Sequence, residues 1–177
     1  FKFQNGFEEY LEKSMEMGRS FIVPEYQRRT LPLFLLWRGI YFVTQKYPEY
    51  KYLIGPASIS SIYSENAKIL MIEFLKRYHG WQELGKFVEP RNKYEYKLNH
   101  HHEKVFEVYA DDLALMDRLI RDIDINHYAM PVLIKKYLSL GGKILDFNVD
   151  PEFNFAIDGL VVLDIGVVSQ EVINSYK

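Results

Sequence analysis

The chain has 177 residues, a hydrophobic fraction of 48%, a formal net charge of -2 and no cysteine. That length suits one domain with a single sizeable core, and the charge makes non-specific nucleic-acid binding a poor default, because such binding needs a basic surface to displace counterions. Without cysteine there are no disulfides, cysteine zinc sites or thiol nucleophiles, and the composition fits a reducing cytoplasm.

Phe7 to Lys13 reads as a short helix with Phe7, Tyr10 and Leu11 on one stripe. No charged leader with a short apolar run is seen from Phe1, so a signal peptide is not expected. Met15 to Val23 reads as a strand ending at Pro24. Thr30 is placed as an N-cap, with Pro32 in the first turn of a helix reaching about Lys46. That helix is apolar nearly all round and predicts burial against a sheet. Its apolar run from Leu31 to Val43 is interrupted by Arg38 and Gly39 and is too short to span a bilayer.

Tyr52 to Ser60 predicts a strand broken at Gly55-Pro56, because proline cannot donate to a ladder. Glu65 to Tyr78 predicts an amphipathic helix with Ile69, Ile72, Phe74 and Leu75 inward. Residues 81–109 are polar, aromatic and without clear period, and are read as an inserted loop within one domain spanning 1–177. Helices are predicted from Asp111 to about Asp124 and from Met130 to Leu140, the second stopped by Gly141-Gly142. Strands Lys143 to Val149 and Leu160 to Val167 follow, then a short helix ending at Tyr176. Strands alternating with helices give an α/β or α+β class.

Aromatic residues reach 16%, with 14 Tyr and 12 Phe, which suits a broad core and an apolar ligand groove equally. The segment from Met15 to Val23 is the most informative. An apolar strand that carries Glu16, Arg19 and Ser20 needs partners for them, since buried charges must be paired. Strand alternation puts Glu16 and Ser20 on one face and Arg19 on the other with Met15 and Met17. An edge strand with solvated charges accounts for the same pattern. Asn99 to Glu103, with three consecutive His, is read as a solvated loop; no metal site is expected. The chain has no G-x-S-x-G elbow, G-x-G-x-x-G turn or P-loop, which removes support for hydrolase, dinucleotide and NTPase readings.

Five ordered motifs resemble the hemolysin-like and ornithine-lipid N-acyltransferases of the GNAT fold. They are Glu16-Met17-Gly18-Arg19-Ser20, Val23-Pro24-Glu25-Tyr26-Gln27, Leu36-Trp37-Arg38-Gly39-Ile40, Tyr52-Leu53-Ile54-Gly55-Pro56-Ala57-Ser58-Ile59, and Pro131 to Lys143 with Asp150-Pro151-Glu152-Phe153. Acyl-homoserine-lactone synthases are similar but more distant. The resemblance implies a mixed central sheet flanked by helices. It also implies N-terminal strands that this sequence does not contain, either because the chain is a fragment or because those strands are missing, so the chain is read as the larger, C-terminal part of the fold. It implies a central strand that splays from its neighbour to admit the pantetheine arm of an acyl donor.

The phosphate end of that donor is expected over the turn Gln27-Arg28-Arg29-Thr30, at the N-terminus of the apolar helix. This turn lacks the glycine pair of common acetyl-CoA users, which favours the single phosphate of acyl carrier protein over CoA. A solvated turn is the plain alternative for Arg28 and Arg29.

The activity implied is transfer of a fatty acyl group from acyl carrier protein or acyl-CoA to an amino group of an amino acid or aminolipid precursor, in lipid biosynthesis. Glu16 is the expected base, directly or through water. Arg19 has three roles open: orienting Glu16, binding an acceptor carboxylate, or satisfying a buried charge. Gly55 and Ser58 are expected to contact the donor, a backbone N–H near Gly55-Pro56 to serve the oxyanion, and Tyr63 to protonate the leaving thiolate. Asp150, Phe153 and Asp158 either line the acceptor site or are structural, Asp150 as a turn starter and Phe153 as core. The expected setting is cytoplasmic, with room for peripheral membrane contact, no nucleic-acid partner and no bound cofactor. The rival reading is a catalytically silent GNAT-like domain that binds an acyl carrier or a partner protein.

Overall fold

Strand β3 (Tyr52–Ile59) is the axis of the fold. In the computed structural model, which describes residues 1–18, 20–27, 29–109 and 111–176, it pairs along its whole length with β6 (Ala156–Asp164). That pair is antiparallel, from Tyr52 opposite Asp164 to Ile59 opposite Ile157. Beyond β6 lies β5 (Lys143–Asp150), also antiparallel, and beyond β3 lies β2 (Ser14–Glu16), parallel. The result is a four-stranded mixed sheet in the order β2-β3-β6-β5, flanked by helices. This mixed α/β architecture agrees with the GNAT-like class read from the sequence. A small two-stranded sheet joins β1 (Lys2–Phe3) to β4 (Val88–Glu89).

Alternate residues of β3 and β6 feed two cores. On one face Leu53, Ala57, Val161 and Leu163 meet Trp37 of α2 (Thr30–Lys46), Phe74 of α3 (Glu65–His79), Met116 of α6 (Leu113–Ile123) and Tyr137 of α7 (Val132–Ser139). Phe106 of α5 (His100–Tyr109) and Tyr176 of α8 (Gln170–Tyr176) close that core. On the other face Ile54, Leu160 and Val162 meet Phe7, ahead of α1 (Glu8–Glu12), and Leu84 of α4 (Gln82–Gly85). The helix ends follow local chemistry. The Ser64 side chain accepts from the Ala67 N–H and the Asp112 side chain from the Leu115 N–H. Gly141 takes φ +88° after α7, where the Gly142 N–H reaches the Tyr137 carbonyl at 2.8 Å.

Several expectations are corrected. The strand read over Met15 to Val23 stops at Glu16, so the shared strand face of Glu16 and Ser20 does not exist; Arg19 and Arg28 lie outside the described residues. β3 is not broken at Gly55-Pro56, because its pairing with β6 runs through Pro56 opposite Leu160. Helix α2 takes Arg29 as N-cap and Thr30 as its first residue, with no side-chain cap.

Nor is α2 buried all round: only Trp37 and Thr44 are buried, while Leu31, Leu35, Phe42 and Val43 are exposed. A three-residue β2 at the sheet edge covers only one stripe of the helix. Residues 81–109 contain α4, β4 and α5, and the three histidines form the first turn of α5, with His102 buried. These pieces are short and held by distant partners, such as Lys93 opposite Asn148, so no local period announces them. β6 starts at Ala156, ahead of Leu160, and ends at Asp164, whose side chain accepts the Gly166 N–H and opens a 3-10 turn. Phe153, read as either core or acceptor-site lining, is 68% exposed, which removes the core reading. Among the described residues no helix is long and apolar enough to cross a membrane.

Candidate active site

The parallel ladder between β2 and β3 ends for a reason visible in the covalent chemistry. The Met17 N–H donates to the Ile54 carbonyl at 2.7 Å. In a parallel pair the next bond runs from residue 56 to the Met17 carbonyl, and residue 56 is proline, which has no N–H. Since alternate residues bond to opposite edges, Pro56 has its ring nitrogen on the β2 side, while Gly55 and Ala57 bond toward β6. This is why β6 tolerates the proline and β2 does not.

The two chains touch at Gly55, where an added Cβ would lie 2.3 Å from the Met17 oxygen. Beyond that contact they separate. A cavity of about 700 Å³ opens there, lined by Met17, Gly18, Pro56 and Ser58 with Trp37 and Tyr137 behind. By the same alternation Ser58 carries the first backbone N–H on this open edge. Neither Gly55 nor Pro56, the expected place of an oxyanion donor, offers an N–H to the slot.

A second cavity, of about 790 Å³, has Ser14, Glu16, Arg91 and Asn148 among its lining. The two cavities share four wall residues: Pro56, Asp150, Glu152 and Asp158. Asp150 is locked as the start of a 3-10 turn, its Oδ1 accepting the N–H of Glu152 at 2.9 Å and of Phe153 at 3.2 Å. Asp158 is half-buried on β6, directly opposite Ser58 in the ladder. These residues form one of the narrow, non-hydrogen-bonded pairs of an antiparallel ladder, which brings their side chains together. The Ser58 hydroxyl donates to Asp158 Oδ1 at 2.6 Å. Burial holds the Asp158 carboxyl above the usual carboxylate range; the Ser58 hydrogen bond works against this rise and Asp150 adds to it.

Of the residues named from sequence, Gly55 and Ser58 meet at the slot, and Glu16 stands beside it. Glu16 is exposed at the end of β2, and its Oε1 would lie 3.4 Å from a Cβ on Gly18. It lines the second cavity and an apolar groove of about 550 Å³ that runs along α2 past Leu35, Gly39 and Val43. Gln27, Arg29 and Thr30 stand exposed at the start of α2, and the Gln27 side chain donates to the Ile22 carbonyl at 2.8 Å.

Tyr63 is not brought to the slot. Its hydroxyl donates to the Ala129 carbonyl at 2.7 Å, and burial pushes its pKa up to about 12, with Asp124 and Asp117 adding to the rise. Two residues of the cavity walls escaped the sequence reading, Arg91 and Glu152 as charged groups. Arg91 lies in the segment read as a loop, and nothing local marks it.

No family model matches the chain, and no solved structure matches it. It is similar to glycine N(alpha)-acyltransferase of Bacteroides thetaiotaomicron, 27% identical over 165 residues that cover 88% of this chain and 48% of that protein. It is similar also to glycine N(alpha)-acyltransferase of Phocaeicola vulgatus, 26% identical over 165 residues that cover 88% of this chain and 49% of that protein. The chain thus spans about half the length of the curated relatives it matches. These likenesses support an acyltransferase family for the chain.

Proposed function

We propose that the protein is an N-acyltransferase that moves a fatty acyl group from a thioester donor to an amino group of an amino acid or aminolipid precursor. The observation that carries this reading is the break between β2 and β3 at Pro56, with two cavities beside it that share one wall. An acyl donor that enters one cavity and an amine that enters the other meet at that wall. The similarity to two glycine N(alpha)-acyltransferases supports the same chemistry.

In this reading the donor is acyl carrier protein, carrying its phosphopantetheine arm, or acyl-CoA. The arm lies between Met17-Gly18 and Pro56-Ser58. Its phosphate meets the first turn of α2, where no side chain caps the helix and Arg29 adds a cation. The fatty chain follows the apolar groove along α2, where Gly39 leaves open space. The acceptor cavity holds carboxylates and the Arg91 guanidinium, a lining that suits a molecule bearing both an ammonium and a carboxylate.

Attack by the amine nitrogen on the thioester carbon forms the C–N bond and places charge on the carbonyl oxygen, which the Ser58 N–H stabilises. Glu16, directly or through water, takes the proton the nitrogen sheds as the intermediate forms. The C–S bond then breaks and its electron pair leaves with sulfur.

The test is incubation of the purified protein with acyl carrier proteins of several chain lengths, acyl-CoA and a panel of amines, read by mass spectrometry. Amide products with amino-acid acceptors are expected. Binding of the carrier without acylation of any amine would replace this reading with the silent binding domain.

A further inference from the structure

We propose that Asp158 seats the ammonium group of the acceptor and takes its first proton, so that a neutral amine meets the thioester; this rests on the acyl-transfer reading above. An amine at neutral pH arrives protonated and has no lone pair to attack with, so a proton must leave before the C–N bond forms. The residue that removes it must be reachable from the acceptor cavity and must border the donor cavity as well. Glu16 lines the acceptor cavity and the groove along α2, but not the cavity at the β2–β3 break.

Three carboxylates border both: Asp150, Glu152 and Asp158. Asp150 is committed to its turn through Oδ1, and Glu152 is exposed on that turn. Asp158 sits within β6, paired on both sides by β3 and β5, so its backbone is fixed. Its Oδ1 takes the Ser58 hydroxyl, and among the described residues no hydrogen bond engages Oδ2. One oxygen orients the group and the other is left for the ligand. The raised proton affinity produced by burial makes it a better base than a solvated carboxylate.

The steps balance. The ammonium passes one proton to Asp158 Oδ2 and becomes an amine. Its lone pair forms the C–N bond, Glu16 receives the second proton, and the C–S bond breaks with its electron pair going to sulfur. The thiolate is reprotonated, and the remaining proton leaves to solvent from the carboxyl groups. Among the described residues the charged groups lining the cavities around Asp158 are Asp150, Glu152, Glu16 and Arg91.

Wild type, Asp158→Asn and Glu16→Gln are compared in amide formation across pH, with thermal midpoints measured alongside. Asp158→Asn should lower turnover at neutral pH by about 10²–10⁴. That deficit should shrink above the acceptor's own amine pKa, where neutral amine needs no help. Glu16→Gln should keep its deficit at every pH, because the second proton still has to be taken. A merely structural role for Asp158 would not produce a deficit relieved by alkali. If Asp158→Asn does not fold, Asp158→Glu carries the test: a displaced carboxylate should lower turnover with the same alkaline relief. Wild-type turnover in the folded variant, or a deficit constant with pH, would overturn this proposal while leaving acyl transfer standing. If wild type itself acylates no amine, the acyl-transfer reading falls and takes this one with it.

Discussion

The Met17 carbonyl packs against Gly55 so closely that a Cβ there would stand 2.3 Å from its oxygen, and this contact marks the end of the β2–β3 ladder. Both neighbours of the contact are testable. Gly55→Ala forces two backbones apart and should cost about 1–3 kcal/mol, as overpacking does, read by chemical denaturation. Pro56→Ala restores an N–H opposite the Met17 carbonyl, a bond worth about 0.5–1.5 kcal/mol. Stability should hold or rise, while the KM for the acyl donor increases because the slot has narrowed. Unaltered donor kinetics in Pro56→Ala would show that the break is not used.

Glu16→Gln keeps size and removes the base. Turnover in single-turnover assays should fall by about 10²–10⁴. Because Glu16 is exposed at the end of β2, its thermal midpoint should stay near that of wild type. Full activity in the variant would place the base elsewhere.

Arg29 is the N-cap of α2, and Arg28 precedes it in the sequence. If they meet the donor's phosphate or an acidic carrier surface, changing both to Ala should raise the donor KM and flatten its dependence on salt. Kinetics unchanged across a salt series would return both to a solvated turn.

Asp124 offers a pH test of stability. It is buried and accepts from the N–H groups of Ser64 at 2.8 Å, Asn126 at 3.0 Å and Tyr128 at 3.2 Å. Burial pushes its pKa up, but these hydrogen bonds outweigh that and hold it below the usual carboxylate range. A depressed folded pKa means that the stabilisation is present above the unfolded value, near 4 by ordinary reference, and is lost as pH falls through the folded value. Urea unfolding at descending pH should therefore show a loss in wild type that Asp124→Asn lacks. Asp124→Ala strands three donors and should cost ~2–3 kcal/mol at neutral pH.

Much of the scaffold is legible in the chain itself. The apolar period of α3, the glycine stop after α7 and the turn at Asp150 are all relations among residues a few positions apart. Pro56 also announces its effect, since a missing N–H is a covalent fact. What only the tertiary structure decided is which edge of β3 bears that effect: β6 pairs straight through Pro56, and β2 stops. Likewise Phe153 is as apolar in the sequence as any core residue, yet its turn leaves it exposed beside the slot. The wall shared by the two cavities was least legible, because Ser58 and Asp158 are 100 positions apart and Arg91 belongs to a segment without period. Local patterning reports the face on which a side chain lies, whereas the residue opposite it follows from strand register, and register is set by how distant segments pack.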